Sequence, residues 1–248
     1  MYRRPQPPST TTVSRLRRDV VSSPRAIAAG RWVRDRLTDL CAPMPEHREW
    51  RRIDGDHTLR LEYELTPDSV VFDVGGFRGQ WASDLVAMYG CRIQVFEPVI
   101  SYAQRIERRF AHNPLVTVHP YGLAGTAGEA RIVVAGDASS HVRSGQLPGE
   151  LQTVALRTPA EVLSELGLEQ LDLMKVNIEG AEFDLLTHLI ATGTMERIKD
   201  LQVQFHPFVP DARRRADDLR DALRRSHEQA WGYDFLWENW SQRNSTSS

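Results

Sequence analysis

The stretch Val70-Val71-Phe72-Asp73-Val74-Gly75-Gly76-Phe77-Arg78-Gly79 decides the fold of this chain. Its first half is a short apolar run bounded by a turn, the pattern of a strand covered on both faces. Its second half is a glycine turn, and Gln80 to Tyr89 then reads as a helix. Strand, glycine turn and helix in that order put the turn at the carboxyl end of a sheet, where open α/β folds bind ligands. Glycines there let the backbone approach a ligand closely, and the helix start offers unpaired N–H groups to a carboxylate.

The pattern continues outward from this turn. Arg92 to Glu97 reads as the next strand, Ser101 to Phe110 as the next helix, and Leu115 to His119 as a third strand. Residues 129–134 and 151–156 read as two strands around a Gly/Ser loop, and Thr158-Pro159-Ala160-Glu161 is a capping box that opens a helix. Leu171 to Ile178 and Leu201 to His206 are further buried strands. Asp211 to Gln229 reads as a long Arg-rich helix with Ala216, Leu219 and Leu223 inward, and Tyr233 to Trp240 as a closing aromatic strand. This alternation predicts an α/β fold over residues 67–240, a mostly parallel Rossmann-like sheet with helices on both faces.

The flanks read differently. Residues 1–22 are rich in Pro, Ser, Thr and Arg without periodicity, which predicts a disordered tail, and residues 241–248 predict a second one. Ser23-Pro24 suits a helix start, and Ala26, Gly30, Val33, Leu37 and Leu40 form one stripe. Asp54-Gly55 is a hairpin signal before Leu59, Leu61, Tyr63 and Leu65, which alternate with polar residues. Residues 23–66 are therefore expected to form a helix and hairpin cap over an acceptor pocket.

Composition narrows the function. The chain has 248 residues, enough for one α/β domain with a small addition, and a net charge of −2 that does not indicate duplex nucleic acid as a partner. Cys41 and Cys91 form neither a disulfide framework nor a metal knuckle, so they read as buried thiols of a cytoplasmic protein, and no metal site is expected. No apolar run approaches a membrane span, and neither Arg3-Arg4 nor Arg17-Arg18 is followed by the apolar stretch of a signal peptide.

Four segments carry the candidate chemistry. In the glycine turn, a dinucleotide fingerprint G-x-G-x-x-G would need its first glycine at Val74; the chain reads D-x-G-x-x-x-G from Asp73, Gly75 and Gly79. An acid at the strand end suits a cationic amine and the helix start suits a carboxylate, the two groups of the amino-acid end of S-adenosylmethionine. Glu97, in Val95-Phe96-Glu97-Pro98, ends the next strand about twenty residues on, where an acid accepts hydrogen bonds from ribose hydroxyls. Dehydrogenases share that acid, so it supports a nucleoside ligand without choosing the cofactor. In Lys175-Val176-Asn177-Ile178-Glu179-Gly180, alternate residues share a face. Lys175 reads as half of a structural ion pair, and Asn177 and Glu179 as site residues. Finally, His206 ends the strand Gln202 to Phe205 on the same sheet edge. It is the candidate general base, with a loop anchor as the structural alternative.

Weaker signals receive structural readings. Ser139, Ser140 and His141 suit a solvated loop near the mouth. Tyr233, Phe235 and Trp237 suit a packed strand face, and the Arg213-Arg214-Arg215 run the wet side of a helix.

With these residues in view, the chain resembles the FkbM-type methyltransferases, a class I S-adenosylmethionine-dependent family. The resemblance rests on FDVGGFRGQWA, VFEP, the GDASS segment at 136–140, LDLMKVNIEGAE and the strand ending in FH, and spans about residues 59–240. It implies that Asp73, Gly75, Gly76, Phe77, Gly79, Glu97 and Pro98 surround the cofactor and that Gly122 and Leu123 border its adenine. It further implies O-methylation of a small-molecule hydroxyl, a natural product or a sugar. Where the family reads K-I-D-V-E-G this chain carries Asn177 for the aspartate, and an amide cannot serve as an anionic base. The readings from other classes are a nucleotide-dependent oxidoreductase, against which Val74 argues, and a cofactor-binding module without turnover.

Overall fold

A computed structural model describes residues 45–134 and 150–243. The stripe beginning at Ser23, the first tail, the GDASS segment and residues 244–248 lie outside the described residues. The chain divides into two compact units, residues 1–49 and 50–248. Helix α1 spans Pro45–Arg52.

The second unit is built on a seven-stranded sheet of order β3-β2-β1-β7-β8-β10-β9. Strands β1 (Val70–Val74), β2 (Arg92–Phe96), β3 (Val116–His119), β7 (Leu171–Val176) and β8 (Ile198–Val203) are parallel. Strand β10 (Trp237–Gln242) runs antiparallel between β8 and β9 (His227–Tyr233). The order reverses at β1, which pairs with β2 on one side and β7 on the other. A crevice opens where the chain leaves such a pair of strands in opposite directions, and this switch point is where doubly wound sheets hold ligands.

Both faces are covered, which is why β1 is apolar throughout apart from Asp73. On one face, α2 (Gln80–Tyr89) and α3 (Ile100–Arg109) bring Trp81, Leu85 and Ile106 onto Val71, Ile93, Val95 and Leu173. On the other, α4 (Pro159–Glu165), α5 (Glu182–Ala191) and α6 (Ala212–Leu223) cover Phe72, Phe96, Met174 and Leu201 with Leu163, Phe183, Leu186 and Leu219. Helix α4 starts on the expected capping box, with Thr158 N donating to Glu161 Oε2 at 3.0 Å and Glu161 N to Thr158 Oγ1 at 3.4 Å. After β3 the chain forms a small sheet of order β4-β6-β5 from Gly122–Leu123, Glu150–Arg157 and Gly128–Val134. No helix among the described residues is long and apolar enough to cross a membrane.

Three sequence expectations are corrected. Asp54-Gly55 opens no hairpin: Asp54 adopts φ 53°, Gly55 N bonds back to Trp50 O, and turns run on to Leu61. The alternation beyond it is real, with Leu61, Tyr63 and Leu65 on the apolar cluster beside α2, but no strand among the described residues pairs with it. The Tyr89 hydroxyl takes that part instead, accepting from Tyr63 N at 3.0 Å and donating to Leu61 O at 2.8 Å. The Arg-rich helix ends at Leu223 rather than Gln229, and His227 begins β9 with its imidazole donating to Ile198 O at 2.8 Å. Most of β9 is exposed, so its alternation is hidden among polar residues. Last, Asp234 to Leu236 form a turn with Phe235 at φ 51°, so Tyr233 and Trp237 face each other across a hairpin. The closing strand then runs to Gln242, inside the stretch expected to be a tail.

Candidate active site

The glycine turn is shaped by its neighbours at the sheet's switch point. Gly75 has φ 85°, and a Cβ there would stand 2.0 Å from the Asn177 carbonyl oxygen at the end of β7. A Cβ on Gly76 would stand 2.2 Å from Val95 Cγ1 of β2. The turn is pinned on both sides: Gly75 N donates to Phe96 O at 2.9 Å, and Asn177 N donates to Val74 O at 3.0 Å.

Asp73 lies beneath the turn and is fully buried. Its register partner Lys175 places Nζ 2.8 Å from Asp73 Oδ1 and 2.8 Å from the Gly75 carbonyl oxygen. Burial pulls the Lys175 ammonium down in pKa, and Asp73 works against that shift. The sequence reading set Asp73 against the cationic end of a cofactor. In the structure the cation beside Asp73 Oδ1 is Lys175, which also holds the Gly75 carbonyl, while the buried Asp73 Oδ2 has no hydrogen-bond donor.

Glu97 ties the end of β2 to the turn. Its Oε2 accepts from Phe77 N at 2.7 Å and its Oε1 from Val99 N at 2.9 Å. Burial pushes its carboxyl up to about 7, against the pull of those two N–H groups.

A cavity of about 800 Å³ opens above this floor, within the ~300–1,000 Å³ common for small-molecule sites. Gly75, Phe77, Glu97, Pro98, Gly122, Leu123, Asn177 and Glu179 line it; Asp73, Gly76, Gly79 and His206 do not. None of the lining residues comes from 50–66. The buried Asn177 Oδ1 has no hydrogen-bond donor. Glu97, Glu179 and Asp184 line the wall, the Asp184 carboxylate being held by Arg215 at 2.5 Å, and no Lys or Arg lines it among the described residues.

The ends of β7 and β8 meet in a cluster of three ionisable side chains. Glu179 adopts φ 50° and Gly180 φ 102°, a bend that brings the Glu179 side chain to the cavity wall. His206 lies behind it, with Nε2 3.6 Å from Glu179 Oε2 and Nδ1 3.1 Å from Glu182 Oε1. Burial raises the Glu179 carboxyl, His206 opposes that rise and Glu182 adds to it. Sequence reasoning missed Glu182. An acid in the first turn of a helix reads as a complement to the helix dipole, and nothing local says that its side chain turns inward to a histidine about twenty residues on.

Residues 73–235 match the Methyltransferase FkbM domain. The chain belongs to the FkbM methyltransferase family. The FkbM match starts at Asp73 and reaches into the β9–β10 hairpin, so it takes in every site residue named above. A curated relative, the AMB antimetabolite synthetase AmbE of Pseudomonas aeruginosa, is 26% identical over 204 residues, covering 65% of this chain. The chain spans about a tenth of that protein's length. Among solved structures, a putative rRNA methylase from Clostridium thermocellum has a TM-score of 0.48 at 8% identity, covering 77% of this chain and 94% of that one. An rRNA methylase from Streptococcus thermophilus has a TM-score of 0.45 at 11% identity, covering 77% and 95%. The family implies S-adenosylmethionine as the methyl donor and sets the oxidoreductase reading aside.

The cavity of this FkbM protein fits that donor. Glu97 offers carboxylate lone pairs on the wall, and the buried Asn177 Oδ1 has no hydrogen-bond donor within the described chain.

Proposed function

We propose that this protein is an S-adenosylmethionine-dependent O-methyltransferase that acts in the cytoplasm on the hydroxyl of an uncharged small molecule, a natural product or a sugar. The observation that carries the reading is the charge of the cavity wall: Glu97 and Glu179, with Asp184 paired to Arg215 outside it, and no Lys or Arg among the described lining residues. Like charges repel strongly in a partly desolvated site, so such a wall disfavours a phosphate or carboxylate acceptor. Nucleic acid needs cations along its backbone, and the likeness to rRNA methylases concerns fold alone. The name of AmbE, an antimetabolite synthetase, agrees with small-molecule chemistry. The buried free thiol of Cys91 suits a reducing compartment.

In this reading Gly75 and Phe77 pack against the amino-acid end of the donor, Asn177 Oδ1 accepts from its ammonium, and Glu97 accepts from its ribose hydroxyls. Pro98, Gly122 and Leu123 flank its adenine. When bound, the donor supplies a methyl group on a sulfonium, and the carbon–sulfur bond pair leaves with the sulfur. The chain's own work is alignment, exclusion of water and removal of one proton. Alignment of this kind is worth ~7–11 kcal/mol of barrier. The hydroxyl proton passes to Glu179, the carboxylate on the wall. His206, the base expected from the sequence, acts as a second proton site behind it, and Asn177 helps orient the acceptor.

The test is transfer of label from methyl-tritiated S-adenosylmethionine to a panel of neutral saccharides and polyketide alcohols, with ribosomal RNA and carboxylic acids alongside. Label in an alkali-stable ether of a neutral acceptor is expected. Label confined to RNA, or to alkali-labile esters, would overturn the reading.

A further inference from the structure

Glu182 opens α5 with its side chain turned inward and no exposed surface. A carboxylate at a helix start needs no burial to meet the helix dipole, and burying one is costly unless every lone pair finds a donor. Glu182 has such donors. Its Oε2 accepts from Gly180 N at 2.7 Å, and its Oε1 accepts from His206 N at 2.9 Å. The same Oε1 stands 3.1 Å from His206 Nδ1.

That last contact fixes the imidazole. A carboxylate oxygen only accepts, so the ring nitrogen facing it has to carry a hydrogen. The ring's other nitrogen, Nε2, is then the one left to exchange a proton, and it faces Glu179 Oε2 at 3.6 Å. The Phe208 ring lies beside the imidazole, its centroid 5.3 Å away and its plane tilted by 46°. No other charged side chain is within ion-pairing distance of His206 among the described residues. Glu182, His206 and Glu179 thus form a line from the core to the cavity wall.

We propose that Glu182 is a positioning residue for methyl transfer. It commits the His206 Nδ1–H, so that Nε2 and the Glu179 carboxylate, both without a proton before transfer, can take up one proton between them. The acceptor's hydroxyl proton goes to Glu179, while the O–H electron pair stays on the oxygen as that oxygen bonds the methyl carbon. Glu179 is cleared when its proton moves to Nε2 and later to water. The use of the proton rests on the methylation reading; the orientation of the ring does not.

The experiment is ¹⁵N NMR on the full chain labelled at histidine, saturated with S-adenosylhomocysteine, with the His206 signals assigned by their loss in His206→Gln. In the wild type, His206 is expected in the Nδ1–H tautomer. Glu182→Gln, which keeps the shape and removes the charge, is expected to move at least half of the neutral ring to the Nε2–H tautomer. Glu179→Gln should keep Nδ1–H and displace the Nε2 resonance alone. Should Glu182→Gln fail to fold, Glu182→Asp, which withdraws the carboxylate by one methylene, is expected to show the same tautomer shift. An Nε2–H tautomer in the wild type, or an unchanged tautomer in the folded Glu182 variant, would overturn the proposal. The sample holds no acceptor, so this result stands apart from the label-transfer test of the methylation reading.

Discussion

Replacing Lys175 with Met probes how the site is held rather than what it binds. The Lys175 and Asp73 side chains are only 5% and 1% exposed, and their contact is 2.8 Å. Removing one partner of such a pair leaves an uncompensated buried charge and costs ~3–5 kcal/mol. For a chain of this size each kcal/mol moves the melting temperature by ~2–4 °C, so Lys175→Met should lower it by roughly 6–20 °C. Asp73→Asn, which strands the ammonium instead, should fall in the same range. The double variant buries no charge and loses mainly the bond to the Gly75 carbonyl, a cost of ~1–3 kcal/mol. It should therefore melt above either single variant. Calorimetric melts of the four proteins at one pH provide the cycle. A double variant whose loss equals the sum of the two single losses would refute the ion-pair reasoning, as would a shift below ~3 °C for Lys175→Met.

The other predictions concern the cavity. Affinity for S-adenosylhomocysteine should rise as pH passes upward through about 7, because Glu97 has to be ionised to accept from two hydroxyls. Below that value it should fall by up to ~tenfold per pH unit. Calorimetry of Glu97→Gln should give a flat profile and ~10- to 100-fold weaker binding, and an unchanged slope would show that another group titrates. In the free protein the raised pKa works the opposite way. The unfolded chain gives up this proton first, so the stability Glu97 contributes is fully present below the ordinary carboxylate range and is lost as pH rises through about 7. Gly75→Ala should abolish cofactor binding and lower the melting temperature, since its Cβ would meet the Asn177 carbonyl at 2.0 Å; wild-type binding would mean that the β1–β7 crevice can open. Glu179→Gln should slow single-turnover methyl transfer by ~10²–10⁴-fold with cofactor affinity retained. A near-normal rate in that variant, with a collapsed rate in His206→Ala, would return the base to the imidazole.

Most of the parallel sheet was legible because its strands are buried on both faces and written as apolar runs. Val70–Val74 and the helix Gln80–Tyr89 begin and end where the sequence placed them. What failed lies where local pattern and tertiary partner separate. Leu61, Tyr63 and Leu65 alternate like a strand, yet a tyrosine hydroxyl supplies the pairing, and no local rule says so. His227–Tyr233 is a mostly exposed strand, so its polar residues read as a continued helix. At the site, the place of Glu97 and Asn177 on the cavity wall was legible because both end strands at the switch point of the sheet. The burial of Asp73 was not, since it depends on Lys175 sitting beside it in register. The order of Glu179 and His206 relative to the cavity was hidden for a similar reason: both end strands on one edge, and only the bend at Glu179 decides which stands in front.

The insertion of β10 between β8 and β9 bears on how the protein is made. Ile198–Val203 leaves the ribosome well before Trp237–Gln242, and until the later segment arrives one flank of β8 presents unpaired N–H and C=O groups. His227–Tyr233 cannot shield that flank, because among the described residues its strand partner is the segment still to come. A nascent chain halted shortly before residue 237 therefore carries a complete cofactor floor beside an open sheet edge. Synthesis of this stretch is the interval in which pairing with a neighbouring chain competes with folding, and a pause in translation there would lengthen it.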